Sequence, residues 1–133
     1  MTRRPLAVTV IGWLFLVMGA ATFVGGFVPL IRSMRGEGRA PPAHEWRDFA
    51  MATGLHVLAI VAGAGLLWRR EWARWLTLGW MAMHVVLSFW HSASQVIVHG
   101  VMLAVLAYFL FRPGVTAWLR GKTELSRASL NEG

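Results

Sequence analysis

Residues 49–68 form a run of twenty residues that contains no charged side chain. As an α-helix such a run extends roughly 30 Å, which is the thickness of the hydrocarbon core of a bilayer. A helix that is apolar on every side has no face suited to water. The run therefore predicts a chain that has a lipid bilayer as part of its solvent.

Two further apolar regions lie on either side of this run, at residues 6–31 and 76–111. The first follows Arg3 and Arg4, as in a signal peptide, but it is longer than the roughly 7–15 apolar residues of a signal sequence. We interpret it as a first span, with Pro29 in its last turn. The second would extend roughly 54 Å as one helix, so it must turn back on itself.

The turn in this long region is predicted at the polar stretch of residues 91–95. Ser92 and Gln95 match the S-x-x-Q capping box, which begins a helix. We therefore predict an all-α bundle of four transmembrane helices in residues 1–121, followed by a mobile cytoplasmic tail at residues 122–133. The spans are placed at residues 6–31, 49–68, 72–91 and 93–111. A re-entrant or interfacial pair of helices is the alternative for the last two.

Basic residues are distributed unevenly between the two sides of this topology. The side of the termini carries nine: Arg3, Arg4, Arg69, Arg70, Arg74, Arg112, Arg120, Lys122 and Arg127. The other side carries four: Arg32, Arg35, Arg39 and Arg47. Because cytoplasmic loops carry an excess of Arg and Lys, we expect both termini in the cytoplasm.

The composition agrees with a membrane protein, with 56% apolar and only 14% charged residues. Soluble domains carry about a quarter charged residues. The net charge of +7 raises the question of nucleic-acid binding, but the basic residues lie at the ends of apolar runs rather than along one face. The positive-inside rule explains them, and no nucleic-acid partner is expected.

The eight tryptophans are expected mostly at the two membrane interfaces. An inner belt is predicted at Trp68, Trp72, Trp75 and Trp118, and an outer belt at Trp46 and Trp90, with Trp13 and Trp80 lying deeper. Residues 115–121, which include Trp118, are predicted to form a short interfacial helix.

Four segments of the chain carry a resemblance to known proteins. They are Arg4-Pro5 with residues 11–15, residues 72–76, residues 84–92 and residues 108–113. These segments resemble a group of small bacterial membrane proteins to which no activity is assigned. The resemblance implies four spans and says nothing about chemistry. With the predicted orientation, it places the chain in the cytoplasmic (inner) membrane of a bacterium.

Histidine is the most informative polar residue of the predicted spans, because ionisable residues inside a membrane are rare and usually face the bundle interior. His56, His84, His91 and His99 lie within the spans or at their ends. His84, Ser88 and His91 follow the spacing i, i+4, i+7 and share one helix face. At 1.5 Å per residue, all four histidines fall in the outer half of the bilayer.

Two interpretations of these four histidines remain open. In the first they form a hydrogen-bonded polar seam that fixes the packing of the spans. In the second they bind a ligand: haem b through two axial histidines from different helices, another metal ion, or a quinone, proton or lipid. The sequence contains no Cys, no CxxCH or HExxH motif, and no carboxylate within the spans.

No catalytic set is recognisable, since the chain lacks a nucleophile–base pair, a phosphate-binding glycine loop and an enclosed pair of carboxylates. We expect a non-enzymatic accessory or structural subunit of a larger membrane complex, packing through small residues on other subunits or on itself. One alternative is a haem b- or metal-binding electron-transfer protein. The other is a small oligomeric channel or transporter, although the missing intramembrane acid argues against a proton relay.

Overall fold

The computed structural model describes residues 4–37 and 43–121, with side chains described from residue 46 in the second range. These residues form α-helices and no strand, so the predicted all-α class is confirmed for this part of the chain. The helices are α1 (Leu6–Met34), α2 (Ala43–Leu67), α3 (Glu71–Ser88), α4 (Ala93–Leu110) and α5 (113–121). The predicted mobile tail at residues 122–133 lies outside the described residues.

The helices extend beyond the apolar runs at two places. α1 continues through Pro29 and Arg32 to Met34, and α2 begins at Ala43, before the predicted start at Phe49. An apolar run marks the part of a helix that hydrocarbon can surround, whereas backbone hydrogen bonding continues for as long as the residues tolerate it. The predicted turn before α4 is confirmed: the backbone N–H of Gln95 donates to Ser92 Oγ over 3.3 Å.

Three of the described helices are long and apolar enough to cross a membrane: Leu6–Met34, Trp46–Leu67 and Ala93–Leu110. The chain is therefore a helical membrane protein with three candidate spans. α3 is not among them. Its first turn contains Glu71 and Arg74, and His84 lies further along, so its mean hydropathy is lower.

The four long helices run alternately up and down, and each packs mainly on its neighbour in sequence, while α1 and α4 touch only sparsely. We call the half that contains Leu6, Leu67 and Leu110 the lower half, and the half that contains Met34 and Ser88 the upper half. The buried apolar core is concentrated in the lower half and reaches into α5: Val8, Ile11, Phe15, Ala59, Ala62, Leu66, Ala73, Met81, Leu106, Leu110, Val115, Trp118 and Leu119. The upper half is therefore the more open part of the bundle.

Glycines bring α1 and α2 into close contact. A Cβ atom added at Gly63 would lie 2.6 Å from the carbonyl oxygen of Gly12, and one added at Gly19 would lie 2.9 Å from a side-chain carbon of Ile60. Such contacts are possible only because small residues let helix backbones approach each other. The small residues that were expected to bind other subunits are thus partly used inside the chain.

Helix α5 packs beneath the lower half. Val115 and Leu119 are buried against the core, and Trp118 is only 8% exposed. Arg74, 3% exposed, lies above α5, where it pairs with Glu71 over 2.6 Å. Trp118 lies at the lower end of the bundle with its ring largely buried, and its expected place in an aromatic belt stays a prediction. Trp68, by contrast, is 70% exposed, as a belt residue would be.

Candidate functional site

A cavity of about 340 Å³ lies between α1, α2, α3 and α4 where the packed lower half gives way to the open upper half. Most of its wall is apolar, and its polar residues include three histidines. The lining residues are Leu14, Phe15, Met18, Gly19, Thr22, His56, Ala59, Trp80, Met81, His84, His99 and Met102. The volume is at the small end of the roughly 300–1,000 Å³ that is typical of small-molecule sites.

One face of α3 brings Trp80 and His84 to the cavity wall, and Ser88 lies one turn further along the same face. Trp80, His84 and Ser88 are spaced four residues apart and therefore lie above one another. The Trp80 and His84 rings are stacked, with their centroids 3.9 Å apart and their planes tilted by 34°. The Trp80 indole Nε1–H donates to the carbonyl oxygen of Leu55 in α2 over 2.7 Å, which fixes the orientation of the stacked pair.

Ser88 connects this face to α4 and determines which nitrogen of His99 carries a proton. The Ser88 hydroxyl donates to the carbonyl oxygen of His84 over 2.7 Å, so its oxygen is left to accept from His99 Nδ1 at 2.9 Å. His99 Nδ1 is also 2.8 Å from the carbonyl oxygen of Gln95, which can only accept. Neutral His99 is therefore protonated at Nδ1, and its Nε2 carries a lone pair.

The same reasoning applies to His84. Its Nδ1 lies 2.9 Å from the carbonyl oxygen of Trp80, so Nδ1 carries the proton and Nε2 the lone pair. In both histidines the ring is held by a carbonyl of its own helix, and Nε2 points away from that backbone. The two ring centroids are 5.9 Å apart. The cavity wall thus offers two hydrogen-bond acceptors on neighbouring helices.

The four histidines predicted as site residues do not all meet. His56, His84 and His99 line the cavity from three different helices. The hydrogen bonds found among the described residues do not involve the His56 ring. His91 lies in the turn between α3 and α4, where it is exposed and donates from Nδ1 to the carbonyl oxygen of Leu87 over 3.0 Å. It takes no part in lining the cavity.

The cavity walls do not provide the donor set of a metal site. Within residues 4–37 and 43–121, no group of three or more His, Cys, Asp or Glu side chains is placed to hold a metal ion. The haem alternative needs only two axial nitrogens, and the His84 and His99 pair presents two Nε2 atoms with their Nδ1–H groups anchored, as in ligating histidines. His56 lines the same cavity from α2.

Sequence reasoning missed several lining residues. Trp80 was assigned only a deep position, although its spacing from His84 and Ser88 was the signal that it shares their helix face. Met18, Met81 and Met102 also line the cavity, and Met81 belongs to the buried core as well. No pattern in the sequence distinguishes a methionine that lines a cavity from one that fills a core.

The chain matches no protein-family model, no curated protein and no solved structure. Its class is therefore defined by fold and site alone: a helical membrane protein with a histidine-lined cavity between its helices. Membership of the small bacterial group that the sequence resembles stays a prediction.

Proposed function

We propose that this chain is a four-span protein of a bacterial cytoplasmic membrane that binds, without transforming it, a small apolar molecule carrying a hydrogen-bond donor. The binding site is the cavity beside His84 and His99. The observation that carries the proposal is the pair of histidines on a largely apolar wall whose Nδ1 atoms are held by backbone carbonyls, which leaves Nε2 as the acceptor of each ring.

The fourth span of this topology is α3. Its eighteen residues extend roughly 27 Å, close to the thickness of the hydrocarbon core. Short connections, residues 68–70 and 89–92, join it to α2 and α4, which are themselves candidate spans. Its charged residues lie at one end, where Glu71 pairs with Arg74. The distribution of basic residues supports an orientation with both termini in the cytoplasm.

The chemistry of the ligand follows from the wall of the cavity. Apolar side chains favour a hydrocarbon body, and two lone-pair nitrogens favour an O–H or N–H group on that body. Phenols, quinols and long-chain alcohols have this combination, and all of them dissolve in the bilayer. Because α1 and α4 touch only sparsely, the open side of the bundle between them is the route of entry from the lipid.

A role as an accessory subunit is compatible with such binding. The upper halves of α1 and α4 expose apolar side chains that no described helix covers, among them Val24, Val28, Ile31, Ile97 and Val98. These faces contact either lipid or another membrane subunit. The alternative of a small oligomeric channel or transporter is less well supported, since the predicted spans carry no carboxylate that could serve a proton relay.

The test compares two probes that differ only in the donor. The purified full chain in mild detergent is titrated with 4-pentylphenol and with its methyl ether, and binding is followed by the tryptophan fluorescence of the chain, to which Trp80 in the cavity wall contributes. One net hydrogen bond contributes about 1 kcal/mol, so the phenol is expected to bind about fivefold more tightly. This preference should disappear in the double variant His84→Phe/His99→Phe, which removes both acceptors, and persist in His91→Phe, whose imidazole lies outside the cavity.

Equal affinity of the unsubstituted chain for the two probes, or a preference for the phenol that survives in the double variant, contradicts the proposal. The visible absorption spectrum of the same preparation distinguishes this proposal from the haem alternative. A Soret band that is lost in His84→Phe or His99→Phe makes the cavity a haem site instead.

A further inference from the structure

A second cavity, of about 480 Å³, lies at the lower end of the bundle beside the turn between α2 and α3. Its lining residues are Arg4, Leu67, Trp68, Arg69, Arg70 and Trp118. Three of these side chains are cations, and no acid is among them. We call this set the arginine pocket. It is separate from the histidine-lined cavity, and its function does not depend on what that cavity binds.

Two of the three arginines are anchored so that part of each guanidinium stays available. Arg4 Nη2 donates to the carbonyl oxygen of Leu67 over 2.9 Å. Arg69 Nε donates to the carbonyl oxygen of Trp118, and its Cζ lies 4.9 Å from the centroid of the Trp118 ring. A guanidinium has five N–H donors. Each of these bonds uses one of them and positions the others beside the pocket.

The backbone of Arg69 is strained in a way that points to a use for its side chain. Its φ is 61°, and it occupies the position after α2 where a Schellman motif normally has glycine. The motif is complete: the N–H of Arg70 donates to Gly65 O over 2.9 Å, and that of Arg69 donates to Leu66 O over 3.1 Å. A side chain in this conformation costs about 1–2 kcal/mol. Strain of this kind is retained where the residue is needed.

Exposed tryptophans beside the arginine pocket indicate that it lies at the depth of lipid headgroups. Trp68 is one of its lining residues, and Trp72 and Trp75, in the first turns of the neighbouring α3, are exposed as well. Tryptophan prefers the interface between hydrocarbon and water, so this ring of exposed indoles marks the membrane surface. Basic pockets at the cytoplasmic ends of spans suit anionic headgroups.

We propose that the arginine pocket binds a phosphate group, supplied by the headgroup of an anionic membrane lipid. Guanidinium groups match the geometry of phosphate oxygens through paired N–H donors. The exposed indole of Trp68 and the side chain of Leu67 give the adjoining glycerol and first methylenes of such a lipid an apolar contact.

The experiment measures the thermal stability of the full chain in maltoside detergent against three additives: dioctanoyl phosphatidylglycerol, dioctanoyl phosphatidylcholine and inorganic phosphate. A ligand that binds only the folded state raises the melting temperature with its concentration, which gives an apparent affinity. We expect phosphatidylglycerol to raise it and phosphatidylcholine not to. Each arginine removed should weaken the affinity about fivefold, corresponding to about 1 kcal/mol per basic residue at an anionic surface.

The variants are the single change Arg70→Gln and the double change Arg4→Gln/Arg70→Gln. They are expected to bind phosphatidylglycerol about 5-fold and about 25-fold more weakly, respectively. Arg112→Gln is the matched control, since it also removes one positive charge. Arg112 lies outside the arginine pocket, with its guanidinium over the ring of Tyr108. Arg70 is exposed, so its single variant keeps the test valid if the double variant fails to fold.

An equal response to inorganic phosphate would support a phosphate site that is filled from solution rather than by a lipid. No preference for phosphatidylglycerol over phosphatidylcholine would overturn the proposal. An equal loss of affinity in Arg112→Gln would do the same, because the attraction would then be a diffuse property of the basic surface.

Discussion

Replacing Gly63 with alanine tests the close contact between α1 and α2. The new Cβ would lie 2.6 Å from Gly12 O and 2.7 Å from Leu16 N, which are backbone atoms of α1. Backbone atoms in a helix cannot move singly, so α1 as a whole must give way. Reaching the 3.4 Å of an ordinary contact from 2.6 Å requires a shift of about 0.8 Å.

A shift of this size has a predictable energetic cost. A gap of about 0.5–1 Å removes a quarter to a half of the dispersion attraction between packed atoms, and overpacking in a core costs about 1–3 kcal/mol. Alanine regains at most about 1 kcal/mol through its higher helix propensity. We therefore expect Gly63→Ala to destabilise the chain by about 1–2 kcal/mol.

Gly54→Ala, in the same helix, is the matched control. A Cβ at Gly54 has no atom within 4 Å among its described surroundings, so this change should be neutral or stabilising by up to about 1 kcal/mol. Both variants are unfolded in maltoside micelles with increasing SDS, and helix content is followed by circular dichroism. If Gly63→Ala proves as stable as Gly54→Ala, the contact between α1 and α2 is not as close as the structure has it.

Three further changes probe single interactions by the same unfolding assay. Glu71→Gln removes the charged partner of buried Arg74 and should cost about 1–3 kcal/mol of unfolding free energy. Arg120→Gln, whose side chain is 61% exposed, should cost less than about 1 kcal/mol. Equal costs would mean that the buried ion pair stabilises the chain no more than the exposed one. Ser92→Ala removes the N-cap of α4 and should cost about 1 kcal/mol, and no loss would show that the cap is dispensable. Trp80→Phe keeps an aromatic ring but loses the hydrogen bond from the indole to Leu55 O in α2, with an expected cost of about 0.6 kcal/mol. A gain in stability would show that this hydrogen bond does not stabilise the chain.

Much of the helical architecture was predictable from the sequence. Charge-free runs locate helices that hydrocarbon can surround, and Ser92 locates the turn that divides the longest run. The described helices follow these positions closely, except where α1 and α2 continue past their apolar runs. The burial of Trp118 was not predictable, because composition cannot distinguish an exposed indole from a buried one at the same end of a bundle.

The candidate site was predictable only in part. Helical spacing and depth selected His56, His84 and His99 together with His91, and the structure brings three of the four to one cavity. The fourth falls outside because α3 ends at Ser88, before the turn that holds His91. The protonation of His84 and His99 depends on carbonyls and a hydroxyl whose positions are known only from the folded chain.

The sequence by itself determined that this is a helical membrane protein and where its helices approximately lie, because burial in lipid and backbone hydrogen bonding act along each segment separately. Tertiary structure alone decided which faces meet. It placed Gly63 against Gly12, stacked Trp80 on His84, and brought α5 under the bundle. The physical reason is that lipid tails are as apolar as leucine, so hydrophobicity does not determine how a helix is rotated in the membrane. Close packing and a few hydrogen bonds do.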